Sequence, residues 1–183
     1  MIIAERPTLR LRSLQESDLP VFPAYRADPQ LCRYQDFEPL SERQSRDFIK
    51  SQQNIDLSRA GEWMQIGMES RAEGQLIGDC ALLFWAEEPR IGELGITLAP
   101  QFHGRGLAQQ CGELLLRTLF TTTLTHKLMA YIDLRNAASI RLVERLGFHR
   151  EGRSRKSCYD TADQAWVDEW QYGILREDFI PPA

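Results

Sequence analysis

The chain has 183 residues, 43% of them apolar and 26% charged, with a formal net charge of −4. That composition belongs to an ordinary folded domain with one sizeable core, not to a low-complexity or repeat chain. No run of eighteen apolar residues occurs and Met1-Ile2-Ile3-Ala4-Glu5-Arg6-Pro7 lacks the apolar stretch of a signal peptide, so a cytoplasmic protein without a membrane partner is expected.

Thr8 to Leu14 alternates like a strand, and Glu16 to Ala27 and Ser41 to Leu57 read as helices, the second opening on Ser41 as cap. Strands are predicted next over Trp63 to Glu69 and Leu76 to Phe84, joined by a hairpin-sized loop at Glu73-Gly74-Gln75, and then over Ile91 to Leu98. Leu107, Cys111, Leu114, Leu115, Thr118 and Leu119 mark the buried stripe of a helix. A strand over Leu128 to Leu134 leads to a helix capped by Asn136 and ended at Gly147, and strands over Arg150 to Ser157 and Trp166 to Leu175 close the chain. The order implies one α+β domain over 1–183 around a mixed sheet.

Cys32, Cys80, Cys111 and Cys158 show neither Cys-x-x-Cys spacing nor histidine partners, which argues against a metal site or a secreted disulfide framework. Cys80 and Cys111 sit among apolar neighbours and read as core. His103, His126 and His149 stand near no Ser and Asp pattern that would make a hydrolase triad. Charge is uneven along the chain. Residues 61–100 hold two basic and seven acidic residues, whereas 101–155 hold nine basic and four acidic. The basic stretch suits a ligand with several phosphates, and the acidic segments tolerate a cationic amine. Nucleic acid is disfavoured, because the whole chain is acidic and no basic run is interleaved with aromatics.

The most informative segment is Gln101-Phe102-His103-Gly104-Arg105-Gly106-Leu107-Ala108, which follows the strand Glu93-Leu94-Gly95-Ile96-Thr97-Leu98 and opens a helix. Glycines let a backbone approach an anion closely, and the helix start aims unpaired N–H groups and a positive dipole end at the same place. The segment reads as a phosphate cradle in which His103 offers its backbone N–H. On spacing alone, a strand-to-helix turn that needs glycine for its own geometry reads equally well.

About thirty residues on comes Asn136-Ala137-Ala138-Ser139-Ile140-Arg141-Leu142-Val143-Glu144-Arg145-Leu146-Gly147-Phe148. Gln-x-x-Gly-x-Gly followed by Asn-x-x-Ser-Ile-x-Leu-x-Glu-x-Leu-Gly-Phe resembles the GNAT N-acetyltransferases, in particular their RimJ/RimL-like branch. The likeness extends from Leu9-Arg10-Leu11-Arg12 to Leu175-Arg176-Glu177-Asp178-Phe179. It implies a predominantly antiparallel sheet flanked by helices, acetyl-CoA as acetyl donor, no metal, and a primary amine or peptide N-terminus as acceptor. A homodimer stays open.

The resemblance also assigns residues. Its strand Ile96, Thr97 and Leu98 splays from its neighbour and pairs with the pantetheine arm, while His103, Gly104, Arg105, Gly106, Leu107 and Ala108 hold the pyrophosphate. Asn136 bonds the pantetheine region as well as capping its helix, and Arg141 contacts the cofactor or is a surface arginine. Glu93 stands where many members keep a carboxylate that accepts the amine proton, against the alternative of an outward-facing strand residue. Ser139 matches the hydroxyl proposed to protonate the departing thiolate, against that of a helix serine bonded to backbone. Other branches carry a tyrosine a few residues after the Asn; Leu142 and Val143 stand there instead, so Ser139, Tyr159 or water must serve. Tyr34, Asp36, Phe37 and Glu38 form an aromatic-acidic cluster suited to an amine, and Trp63, Trp85 and Trp166 either line the same pocket or sit in the core. A CoA-sensing or partner-binding module without catalysis is the alternative on the same fold, and the presence of Glu93, Ser139 and the cradle weighs against it.

Overall fold

An eight-stranded sheet organises the protein. A computed structural model describes residues 1–35, 37 and 39–180. Its strands are β1 (Ile2–Glu5), β2 (Leu9–Ser13), β3 (Met64–Ser70), β4 (Gln75–Phe84), β5 (Ile91–Leu98), β6 (Lys127–Asp133), β7 (His149–Asp160) and β8 (Ala165–Leu175). They lie in the order β1-β2-β3-β4-β5-β6-β8-β7. Every neighbouring pair is antiparallel except β5 and β6, which run parallel. A parallel pair needs a crossover, and α4 (Leu107–Thr122) supplies it. The strand β1 was not foreseen: four residues, two of them exposed, carry too short an alternation to read.

The face of β5 that carries Ile96 packs against α4. At Gly112 the approach is so close that a Cβ would stand 2.6 Å from Leu146 Cδ1 and 3.3 Å from Ile96 Cδ1. The α4 stripe of Cys111, Leu114, Leu115, Leu116, Leu119 and Phe120 is buried there, which matches the predicted periodicity apart from Leu107 and Thr118, which stay partly exposed. Beside α4 lies α5 (Ala137–Arg145), whose Val143 is buried.

The opposite face carries Thr97, whose cross-strand partner is Asp79. It is covered near Asp79 by α1 (Phe22–Arg26), with α2 (Pro29–Cys32) and α3 (Glu42–Ser51) beyond. The helix expected over Glu16 to Ala27 is a 3-10 turn at Glu16–Asp18 followed by the short α1, because Pro20 and Pro23 each remove a backbone donor. The helix expected from Ser41 to Leu57 opens on its Ser41 cap but stops at Ser51. The Gln52 side chain accepts the backbone N–H of Gln65 (2.8 Å), Ile55 turns inward to 6% exposure, and Asp56 folds a turn onto Ser58.

Asp79 is fully buried and is the centre of a polar network. Arg26 approaches its two oxygens at 3.1 and 3.2 Å, Gln65 Nε2 donates at 2.7 Å, and the Tyr25 hydroxyl donates to Oδ2. The Arg26 guanidinium also lies over the rings of Phe22 and Phe37, at 4.7 and 4.3 Å from their centroids. Buried charge is tolerated only when paired and hydrogen-bonded in this way. Burial, with the Asp79 charge next, pushes the Tyr25 phenol well above its usual range.

Candidate active site

The strands β5 and β6 pair only at Ile91↔Lys127, Gly92↔Leu128 and Glu93↔Met129. Past that point β5 continues in register with β4 alone, and β6 with β8 alone. Among the described residues, the β6-side edge of 94–98 therefore has no strand partner. An open edge of this kind is a row of main-chain donors and acceptors available to an extended ligand. Glu93 is half-buried at the apex of the opening.

At the far end of the same strand the chain makes a 3-10 turn, Pro100–Phe102, and enters α4 through Gly104 at φ +73° and Gly106 at φ +72°. Both values lie in the left-handed region that glycine occupies freely. A Cβ at 104 would meet nothing within 4 Å, and one at 106 only Gln110 Nε2 at 3.9 Å, so these glycines serve backbone conformation and leave open space in front of them. The first helical bond runs from Gln110 N–H to Gly106 C=O (3.1 Å). The N–H groups of Leu107, Ala108 and Gln109 thus have no partner within the helix.

His103 departs from expectation. Its backbone N–H donates to the Pro100 carbonyl (3.0 Å) and is engaged in the turn, while its ring Nε2 donates to the Leu98 carbonyl at 2.7 Å. It ties the loop to the end of β5. Arg105 is half-exposed over the Phe102 ring and ion-pairs with Glu73 of the β3–β4 turn at 3.2 Å.

Asn136 caps α5: its Oδ1 accepts the Ser139 N–H at 3.1 Å. The cap leaves its side-chain N–H groups without a partner among the described residues. Ser139 is half-buried in the first turn, and its Oγ likewise makes no hydrogen bond among the described residues; the backbone-bonded hydroxyl considered from the sequence is not what the structure has. Arg141, two residues on, is exposed.

On the face shared by Glu93 and Met129 the next residue along β6 is Tyr131, and the adjoining strand adds Gln171 and Glu169 through Tyr131↔Gln171 and Asp133↔Glu169. Burial, and then the carboxylates of Glu93, Glu169 and Glu151, raise the Tyr131 phenol above its usual range. Sequence reasoning missed Tyr131 and Glu169. Alternation along β6 could have grouped Tyr131 with Met129, but nothing local points to β8 as the next strand.

Arg135, also missed, gathers carboxylates from two elements. It reaches Asp133 at 2.6 Å, Asp160 at 2.5 Å and Asp163 at 2.7 Å. Asp163 also accepts from Arg33 at 3.2 Å, and the Tyr34 ring lies 5.7 Å from the Arg33 guanidinium and 5.8 Å from that of Arg135. The structure thus brings Tyr34 to the turn that carries Asn136. Asp36 and Glu38 lie outside the described residues.

Tyr159 is 47% exposed and meets Trp166 edge-on at 5.4 Å across the β7–β8 hairpin, next to Asp160 of the Arg135 cluster. Trp166 and Trp63 are exposed as well, so the alternative that they are core residues is not met. Trp85 follows the Phe84 end of β4, roughly 23 Å along the strand from the cradle. A cavity of about 450 Å³ at that end is lined by Leu57, Phe84, Arg90 and Leu124, away from both the cradle and α5. Among the described residues no group of three or more His, Cys, Asp or Glu is placed to hold a metal, and no helix is long and apolar enough to cross a membrane.

Residues 8–149 match the family model described as "Acetyltransferase (GNAT) domain". The chain therefore belongs to the GNAT acetyltransferases and is an acyl-CoA-dependent N-acyltransferase. It is 27% identical over 179 residues to an uncharacterized N-acetyltransferase, p20, from Bacillus licheniformis, with 97% of each chain covered. Two solved structures share the fold. One is the spermidine N-acetyltransferase from Vibrio cholerae in complex with CoA and spermine (TM-score 0.80, 22% identity, 94% of this chain and 98% of that one). The other is the ribosomal-protein-S5-alanine acetyltransferase from Vibrio fischeri (TM-score 0.79, 20% identity, 97% and 98%).

Proposed function

We propose that this enzyme transfers the acetyl group of acetyl-CoA directly to a primary amine, on a small molecule or at a protein N-terminus, as a RimJ/RimL-like member of its family. The observation that carries the reading is the parting of β5 from β6 immediately after the Glu93↔Met129 pair, with the glycine cradle at the other end of the opened edge. A thioester with a long polar arm and a pyrophosphate fits that layout: main-chain groups of Ile96, Thr97 and Leu98 for the arm, and Gly104, Arg105, Gly106, Leu107 and Ala108 for the phosphates. The side-chain N–H groups of Asn136 serve the arm from the other wall, with Arg141 further out.

Acetyl-CoA supplies the activated carbonyl, and the chain supplies proton handling and charge stabilisation. Glu93 accepts the proton that the amine loses on attack, directly or through water. A backbone N–H near Ile96 or Thr97 meets the negative charge developing on the carbonyl oxygen. Ser139, whose hydroxyl makes no hydrogen bond among the described residues, donates a proton to the departing thiolate, and Tyr159 is the second candidate for that task. Tyr34, with Asp36 and Trp85, contributes to amine binding.

Both acceptor classes have precedent on this fold: one structural neighbour holds spermine, and the other is named for an alanine of a ribosomal protein. The test is acetyl-CoA turnover followed by thiol release across polyamines, aminoglycosides, amino acids and N-terminal peptides. Amine-dependent CoA release supports the reading, and none with any acceptor, from protein that binds CoA, rejects it in favour of a non-catalytic module.

A further inference from the structure

We propose that Arg135 is a positioning residue that fastens the acceptor-side residues Arg33 and Tyr34 and the tip of the β7–β8 hairpin to the turn that carries Asn136 and leads to Ser139. The amine pocket is then assembled by ion pairs centred on one guanidinium. This inference rests on the proposed transfer to an amine and adds the residue that builds its acceptor wall.

The guanidinium is oriented from its own strand end. Asp133 Oδ1 accepts the Arg135 backbone N–H at 2.7 Å, and both Asp133 oxygens accept from Nε, at 3.0 and 3.2 Å. Nη2 also donates to Asp133 Oδ2 at 2.6 Å, and both outer nitrogens have further acceptors beyond β6. One reaches Asp160 and the other Asp163. Asp160 itself shapes the hairpin turn, since its Oδ1 accepts the N–H groups of Ala162 and Asp163 at 2.9 and 3.0 Å. Its other oxygen faces Arg135, so the turn and the cation are locked to each other.

Asp163 Oδ2 is shared between Arg135 and Arg33, which extends the connection to the segment following α2. Tyr34 adds its ring to both cations, a contact with an attractive electrostatic component. The backbone of this segment bonds back to α2, Arg33 N–H to the Pro29 carbonyl at 3.2 Å and Gln35 N–H to that of Cys32 at 3.1 Å. Its described residues belong to no helix or strand, and the inner anchor is Phe37 under the Arg26 guanidinium. A cation thus contacts it on either side, buried Arg26 at Phe37 and exposed Arg135 at Tyr34. Isolated exposed ion pairs contribute little, but a multidentate network with bidentate geometry fixes orientation.

The experiment compares the unmodified enzyme with R135A, R135K and R33A, using the best amine from the acceptor panel. Arg135→Ala is expected to raise the acceptor KM on the order of tenfold, with CoA affinity changed less than about twofold, a similar melting temperature and a smaller effect on kcat. Arg135→Lys restores part of the loss, and Arg33→Ala reproduces a smaller version of it. Hydrogen–deuterium exchange over 29–40 is expected to speed up in R135A whether or not an acceptor has been found. Unchanged exchange there, or an unchanged acceptor KM in an active R135A protein, overturns the proposal. Absence of transfer by the unmodified enzyme counts against the proposed function, while the exchange result still decides the role of Arg135.

Discussion

Glu93 and Met129 are the last pair in register between β5 and β6, and from that pair onward the two parallel strands separate. The separation puts a carboxylate at the apex of an opened strand edge, with the left-handed glycines of the cradle at its far end.

Acetyl-CoA or CoA at saturating concentration is expected to raise the melting temperature, since a ligand bound only by the folded state stabilises it by mass action. Gly106→Val should remove that shift. The backbone at φ +72° costs a non-glycine residue about 1–2 kcal/mol, and the branched side chain would occupy the space in front of the cradle. Differential scanning fluorimetry of both proteins is the check, and a full shift in folded G106V excludes the cradle from cofactor binding.

Glu93→Gln should slow transfer most at low pH, where removal of a proton from the amine limits the rate, and least at high pH, where free amine is plentiful. Cofactor affinity is expected to stay the same. A pH–rate profile parallel to that of the unmodified enzyme would assign Glu93 to the strand surface.

Ser139→Ala should lower kcat by roughly tenfold to a thousandfold while leaving CoA affinity nearly intact, the smaller loss holding if water replaces the hydroxyl. Tyr159→Phe is the companion measurement. Full turnover in S139A with a crippled Y159F would move the proton donor to the hairpin.

Asp79→Ala should cost about 3–5 kcal/mol in equilibrium denaturation, because it strands the buried Arg26 without its counter-ion. The loss should appear in the global transition, since Asp79 pairs with Thr97 in the centre of the sheet.

The Asp160 carboxyl is held down at about 2, first by the N–H of Asp163 and then by Arg135. A depressed folded value stabilises fully above the unfolded value near 3.8 and ceases to do so as pH falls through about 2. Asp160→Asn is therefore expected to flatten the acid limb of the stability curve between about pH 4 and 2 relative to the unmodified protein. Melting temperatures across that range test it.

What the sequence by itself determined was local. The alternation of 91–98, the apolar stripe of α4, the Asn136 cap and the glycines at 104 and 106 each depend on neighbours a few residues apart, and each is where the residues put it. Local signals failed where prolines interrupted an apolar pattern, as between Glu16 and Ala27, and where a strand was too short to show a period, as in β1. Only the tertiary structure decided that β8 lies between β6 and β7, which sets Tyr131 beside Gln171 and Glu169. It alone brought Arg33, Arg135 and Asp163 together across separations of 28 and 130 residues. Ion pairs and aromatic contacts between segments so distant in sequence leave no period to read. Their partners are chosen by strand order and by where a hairpin tip comes to rest, which are properties of the assembled sheet.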